Sequence, residues 1–165
     1  KTFGTYVKYV NDFSDATKGY EAGKALYASG CDIVYHAAGG VGVGLFKAAK
    51  ELTDGGKKVW AIGVDLDQAV SLPEYAPYLL SSATKRVDTA TYNVAKEVVD
   101  GTFQGGKHIV LGLKDEGVGV AESTKTNTPA DVIELVNKYS DAIKSGKIVV
   151  PDNRADASKF TPVEP

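Results

Sequence analysis

A strand-like run that breaks directly into glycines constrains this chain more than any other feature. Asp32-Ile33-Val34-Tyr35-His36-Ala37-Ala38 leads into Gly39-Gly40-Val41-Gly42-Val43-Gly44-Leu45-Phe46. The pattern predicts a buried strand, a tight loop and a helix start that lets something approach the backbone closely. Glycine tolerates positive φ and close packing, and a helix N-terminus offers free N–H groups. The dinucleotide fingerprint is absent, because glycines at 40 and 42 would need a third at 45, where Leu45 stands. No G-x-x-x-x-G-K-[ST] string occurs either, which removes the phosphate-binding P-loop. Two readings stay open: a ligand-holding loop comprising Gly39, Gly40, Gly42 and Gly44, or a packing loop that only joins strand to helix.

The 165 residues suffice for one domain with a real core. Hydrophobic residues make up 43% and charged residues 24%, an ordinary globular balance. With a net charge of −2 and no Lys/Arg cluster, nucleic acid is not an expected partner. No apolar run approaches the roughly 18 residues of a membrane helix. Cys31 is the single cysteine, so no internal disulfide forms. Ala28-Ser29-Gly30-Cys31 superficially resembles a lipoprotein cleavage box, but the residues before it are charged and amphipathic, so Cys31 is expected to be a small buried thiol. The chain begins at Lys1 and has no Met and no signal peptide, so it is expected to be a processed or excised piece.

Along the chain, strands alternate with helices. Strands are expected over 2–10, 32–38, 58–65, 78–82 and 108–113, with a short addition at 148–150. Helices are expected over 15–29, with Ser14 as N-cap, and over 41–52, 86–100 and 129 to about 145, with Pro129 at the first helical position. The last is opened by the capping box Thr128-Pro129-Ala130-Asp131. Residues 67–77 are expected to be a loop. Such alternation predicts an α/β fold built on a parallel Rossmann-like sheet with helices on both faces. Ligands then sit at the carboxyl ends of strands. Those ends carry 39–44, Asp65 and Asp67, 84–88 and 114–116.

Asp65-Leu66-Asp67 puts two carboxylates just past a buried strand. They can bind a metal, act as acid and base, accept hydrogen bonds from ligand hydroxyls, or merely solvate and cap a loop. No histidine lies nearby at a ligand spacing, so no metal is assigned. His36 is expected to be a core or rim histidine, His108 a strand-end residue and Trp60 a core residue. No nucleophile elbow is present, and Cys31 has no evident His partner. Phe46 falls in the first turn of its helix, where it either joins the core or turns its ring to a ligand.

Five strings taken in order carry a family resemblance. They are Phe13-Ser14-Asp15, Ile33 through Phe46, Ile62-Gly63-Val64-Asp65-Leu66-Asp67-Gln68, Lys85-Arg86-Val87-Asp88 and Gly112-Leu113-Lys114-Asp115-Glu116-Gly117-Val118-Gly119. Together, over about residues 3–150, they resemble the C-terminal half of the basic membrane protein family. These are substrate-binding lipoproteins of bacterial and archaeal ABC importers, several of which recognise purine nucleosides. The resemblance implies one lobe of a type I periplasmic-binding-protein fold over 1–103 and a crossover toward a missing first lobe over 104–123. A helix and short strand follow over 124–150, then a tail over 151–165.

The same resemblance implies the roles of individual residues. Phe46 stacks on a base, Gly63 or Asp65 lines the ribose side, Asp88 accepts from ribose hydroxyls and Lys114 donates to the ribose from across the hinge. Asp67 is expected to be structural, capping the loop after it. Val41 and Val43 depart from the small or polar residues usual in the family. The implied partners are a purine nucleoside or related small molecule, an ABC transporter permease and the missing N-terminal lobe. The implied location is extracytoplasmic, periplasmic or lipid-anchored through a segment outside this fragment. No cofactor and no enzymatic activity are implied. A sugar-binding protein of the same fold is an alternative. So is a flavodoxin-like enzyme or receiver domain, with Asn11-Asp12 and Asp65 as its acidic groups.

Overall fold

In the computed structural model, which describes residues 6–161 and 163–165, the chain divides into two compact units. The first contains the residues up to Thr84 together with Val120–Ala130, and the second contains Lys85–Gly119 and Asp131–Pro165.

Helix α1 (Ala16–Ala28) opens the first unit, followed by strand β1 (Ile33–Tyr35). The N-cap of α1 is Asp15 rather than Ser14: its carboxylate accepts from Thr17 N at 2.9 Å and Lys18 N at 3.3 Å. A carboxylate satisfies the orphan N–H groups and also suits the positive end of the helix dipole. One 3₁₀ turn (Gly39–Val41) leads from β1 into α2 (Gly42–Asp54). Then come β2 (Trp60–Asp65), the short helix α3 (Gln68–Ser71), a second 3₁₀ segment (Pro73–Tyr78) and β3 (Leu79–Lys85). The expected 67–77 loop is thus largely helical, with Pro73 at the start of its 3₁₀ segment, where a missing N–H costs nothing.

The sheet runs in the order β1-β2-β3-β4, where β4 is Val118–Val120. β1 pairs parallel with β2 (Val34 opposite Ala61), and β2 pairs parallel with β3 (Gly63 opposite Ser82). The expected parallel α/β class and the three neighbouring strands are therefore present. Beyond β3, Ala121 N donates to Ser82 O and Arg86 N donates to Gly117 O. Rising residue numbers on one strand meet falling numbers on the other, so β4 runs antiparallel to β3.

Helices α1 and α2 cover the sheet face that presents Val34 and Ala61. The core there joins Leu26, Tyr27, Leu45, Phe46, Val59 and Leu79. The two helices approach very closely, since a Cβ at Gly44 would stand 1.9 Å from Ala16 O. Ile33 and Tyr35, whose side chains alternate to the other face of β1, are exposed.

Three expected strands are absent among the described residues. Part of the 2–10 strand lies outside them, and the rest, 6–10, is not a strand. Only Tyr6 and Val10 in that stretch are even half-buried, so no buried face fixes a register. His108–Leu113 is irregular and largely exposed, because a strand needs a neighbouring ladder for its N–H and C=O groups. Ile148–Val150 is also irregular, and Ile148 N instead donates to Ala142 O past the end of a helix.

The second unit contains α4 (Val87–Val99), all but the first residue of α6 (Ala130–Lys144), and the short α7 (Arg154–Ala157). Helix α4 has no buried residue, although Val87, Val94 and Val98 recur at helical spacing. The short helix α5 (Thr124–Asn127) belongs to the first unit, where Asn127 Nδ2 donates to the Ala76 and Leu79 carbonyls. The hydroxyl of Thr128 donates to Leu80 O at 3.0 Å, and α6 begins at Ala130, one residue past the expected first helical position, Pro129.

Candidate ligand site

Asp12 organises the loop that precedes α1. Its carboxylate accepts from Ser14 N at 2.8 Å, Asp15 N at 3.0 Å and Lys18 Nζ at 3.0 Å. These donors, the Ser14 N–H foremost, hold the Asp12 carboxyl well below the usual carboxylate range. The loop so fixed presents Phe13, which is 76% exposed. Phe13 packs its backbone on the glycine loop: a Cβ at Gly39 or Gly40 would stand 3.2 Å from Phe13 O. Gly39 has φ +53, and both glycines are exposed. They therefore leave open backbone beside an aromatic ring.

The other two glycines serve packing. Gly44 is buried against α1, as described above. Gly42 is buried against His36, where a Cβ would stand 2.0 Å from His36 Cε1. The packing reading thus holds for Gly42 and Gly44, while Gly39 and Gly40 stay exposed.

Phe46 does not present its ring. It is 0% exposed, lies in the core cluster, and meets His36 edge-on at 5.2 Å and Tyr75 at 5.9 Å between ring centroids. It stands one helical turn past Gly42, on the face of α2 that covers the sheet, so its apolar area goes to the core. The stacking role expected for Phe46 is therefore not carried forward. The exposed ring at the loop is Phe13, whose place in Phe13-Ser14-Asp15 was visible in the sequence while its orientation was not.

At the end of β2, Gly63 is buried beneath Gln68 and Ser82, and a Cβ there would stand 2.4 Å from Gln68 Oε1 and 2.7 Å from Ser82 Oγ. No open space remains at Gly63, whereas Asp65, two residues on, is half-exposed. Asp65 has φ +70, and Leu66 N donates across it to Val64 O at 2.9 Å. This is a γ-turn in its rare, strained form, built around a residue other than glycine. Asp67 faces elsewhere: its carboxylate accepts from Ser123 N at 3.0 Å and Ser123 Oγ at 2.6 Å. Its expected structural role is kept, but what it fixes is the returning segment at 121–128.

His36 follows β1 and is 8% exposed. Its Nε2 lies 3.0 Å from Gln68 Oε1. Burial lowers its pKa, opposed by the Gln68 hydrogen bond and by the Asp65 charge. Beside these groups a cavity of about 600 Å³ opens between residues 6–13, α1 and β1. Phe13, Tyr35, His36 and Ala38 lie on its wall. Cys31 also lines it and is half-buried.

Asp88 and Lys114 belong to the second unit. Asp88 sits in the first turn of α4 and is exposed, with Arg86 Nε and Nη2 donating to its two oxygens at 3.0 and 2.9 Å. The guanidinium, aided by the Thr89 N–H, lowers its pKa. Lys114 is exposed at the tip of a tight turn closed by Gly117 N donating to Gly112 O at 2.9 Å, with the Asp115 carboxylate accepting from Gly112 N. Arg86 N donates to Gly117 O, so the bases of these two features are joined within one unit. No cluster of metal-ligating side chains occurs among the described residues, and none of their helices is long and apolar enough to cross a membrane.

Comparison with known proteins places this geometry. The family profile described as ABC transporter substrate-binding protein PnrA-like matches residues 1–154. A CD4+ T-cell-stimulating antigen of Listeria monocytogenes is 40% identical over 154 residues, covering 88% of this chain and 43% of the relative. The ABC transporter nucleoside-binding protein BmpA of Lactococcus lactis is 38% identical over 155 residues, covering 88% and 43%. Basic membrane protein D of Borreliella burgdorferi is 35% identical over 156 residues, covering 93% and 44%. A crystal structure of a solute-binding protein of an ABC transporter system from Aeropyrum pernix superposes with a TM-score of 0.75 at 27% identity. That match covers 92% of this chain and 49% of the other. The chain thus spans less than half the length of these relatives. The α/β fold, the profile match across residues 1–154 and these identities agree: this chain belongs to the PnrA-like, or basic membrane protein, family of ABC transporter substrate-binding proteins.

Proposed function

We propose that this chain supplies one wall of a cleft in an extracytoplasmic substrate-binding protein that delivers a purine nucleoside to an ABC permease. The observation that carries the reading is the pairing of an exposed ring with open backbone: Phe13, which lines a cavity of about 600 Å³, stands beside Gly39 and Gly40. A nucleoside offers a flat ring and a diol, and stacking plus carboxylate hydrogen bonds suits it. Phe13 takes the base, and Asp65 accepts from the ribose. The resemblance separately proposes Asp88 and Lys114, each described within the second unit alone, as ribose contacts of the full-length protein. A relative described as nucleoside-binding supports the ligand class. Relatives described as lipoproteins support a lipid-anchored, extracytoplasmic location. Binding breaks no bond, so no catalytic base is assigned.

The test is calorimetry on the full-length protein with guanosine, guanine and ribose. Tight binding of guanosine, with Asp88→Ala weakening guanosine more than guanine, is the expected result. Tight binding of a free sugar without nucleoside binding would replace this reading with the sugar-binding one. Equal losses for guanosine and guanine would remove Asp88 from the ribose.

A further inference from the structure

A strained turn needs something to hold it. Glycine would adopt φ +70 at position 65 at little cost, yet the residue there is Asp65. Gln68 reaches the turn. Its Oε1 accepts from Val64 N at 2.8 Å, on the residue that opens the turn, and the same oxygen lies 3.0 Å from His36 Nε2. The Val64 N–H requires an acceptor, which fixes this atom of the amide as oxygen. An amide oxygen only accepts, so the imidazole carries its proton on Nε2. The other ring nitrogen, Nδ1, is then a bare lone pair, and it is buried with no partner.

Each part of this arrangement is separately fixed. Gln68 N donates to Ser82 Oγ at 3.2 Å, and Ser82 is 1% exposed. Gly63 leaves the space that the Gln68 amide fills. The His36 ring rests on Gly42 and meets Phe46 edge-on. A continuous row of contacts therefore runs from the glycine loop through His36 and Gln68 to the turn at Asp65.

We propose that His36 and Gln68 are positioning residues that pin the Asp65 turn in its ligand-ready shape and tie it to the glycine loop. Neither touches the ligand in this scheme; both act through Asp65. The proposal rests on the nucleoside reading above, in which Asp65 faces the ribose.

Calorimetry on the full-length protein with guanosine and guanine, run beside thermal melts, tests it. Gln68→Ala and His36→Leu should weaken guanosine about tenfold, the size of one lost hydrogen-bonded contact, and leave guanine within about twofold. Gly63→Ala should do the same by displacing the Gln68 amide. His36→Gln, whose side-chain N–H reaches the Nε2 position, should keep guanosine within about twofold of the parent. In an Asp65→Asn background, Gln68→Ala should cost little more. Loss of guanosine and guanine in equal measure, in step with the melting temperature, would mean a merely structural role and overturn the proposal. So would unchanged affinity in Gln68→Ala where Asp65→Asn shows a loss, or a His36→Gln variant as weak as His36→Leu. A parent protein that binds no nucleoside, or an Asp65→Asn variant that binds guanosine normally, would overturn the ribose reading first and this proposal with it.

Discussion

Gly42 and His36 share one space: the imidazole lies where a side chain at position 42 would be, with a Cβ there only 2.0 Å from Cε1. The ring cannot retreat, because Phe46 meets it edge-on and Gln68 holds its Nε2. Gly42→Ala should therefore overpack the junction of β1 and α2 and destabilise the fold by about 1–3 kcal/mol. Urea denaturation followed by circular dichroism would measure it, and an unchanged midpoint would show that the junction relaxes freely.

The ring that stacks and the ring that packs are distinguishable by substitution. Phe13 is exposed and Phe46 is fully buried. Phe13→Ala should leave the melting temperature nearly unchanged while weakening nucleoside binding by about 1–3 kcal/mol, the usual value of a base stacked on an aromatic. Phe46→Ala should cost about 3–5 kcal/mol of stability through the cavity it leaves. A stable Phe46→Ala protein with lost affinity, beside a Phe13→Ala protein with normal affinity, would reverse the two assignments.

The two phenylalanines also mark how far the sequence could be read. Strand-like runs located β1, β2 and β3 to within a few residues, and Asp65 stood out as a carboxylate ending an apolar strand. The profile of residue types at Gly39–Phe46 suited a ligand loop and a packing loop equally. Separating Gly39 and Gly40 from Gly42 and Gly44 required knowing that His36 and α1 press on the latter pair. The Gln68 link to Val64 and His36 was invisible for the same reason, since it joins three residues whose spacing follows no period. His108–Leu113 read as a strand on composition alone, but strand formation depends on a partner ladder, which composition cannot supply.

Acid should expose the buried imidazole. Burial depresses the pKa of His36 in the folded protein below the usual value near 6.5 of an unfolded chain. Above that value the group is neutral in both states and has no effect. As pH falls below it, the unfolded chain takes up a proton that the folded chain refuses, so stability falls until the folded pKa is reached, with a slope of at most about 1.4 kcal/mol per pH unit. Between pH 7 and pH 5 the stability of the parent should therefore drop more steeply than that of His36→Gln. The carboxylates of Asp12, Glu51, Asp54 and Asp88, with lowered pKa values, act in the same direction but in more acid solution. Parallel stability profiles for the two proteins across this window would mean that His36 is not held neutral.

The segment that returns to the first unit hangs on Asp67. Its carboxylate takes both the N–H and the hydroxyl of Ser123, and nearby Thr124 and Ser81 join their hydroxyls at 2.8 Å. Asn127 then supplies donors to two carbonyls, Ala76 O just before β3 and Leu79 O at its first residue. Little of residues 120–130 is buried apart from Ala121, so these polar contacts rather than apolar area hold the segment in place. A carboxylate that accepts two hydrogen bonds while half-buried is worth about 1–2 kcal/mol here, toward the lower end for charged acceptors because water competes. Asp67→Ala should lose that amount and make the 120–130 segment the first site cut in limited proteolysis. In a double-mutant cycle, Asp67→Ala and Ser123→Ala should couple by about 1 kcal/mol. Additive losses would detach Asp67 from Ser123 and leave the segment to the Asn127 and Thr128 contacts alone.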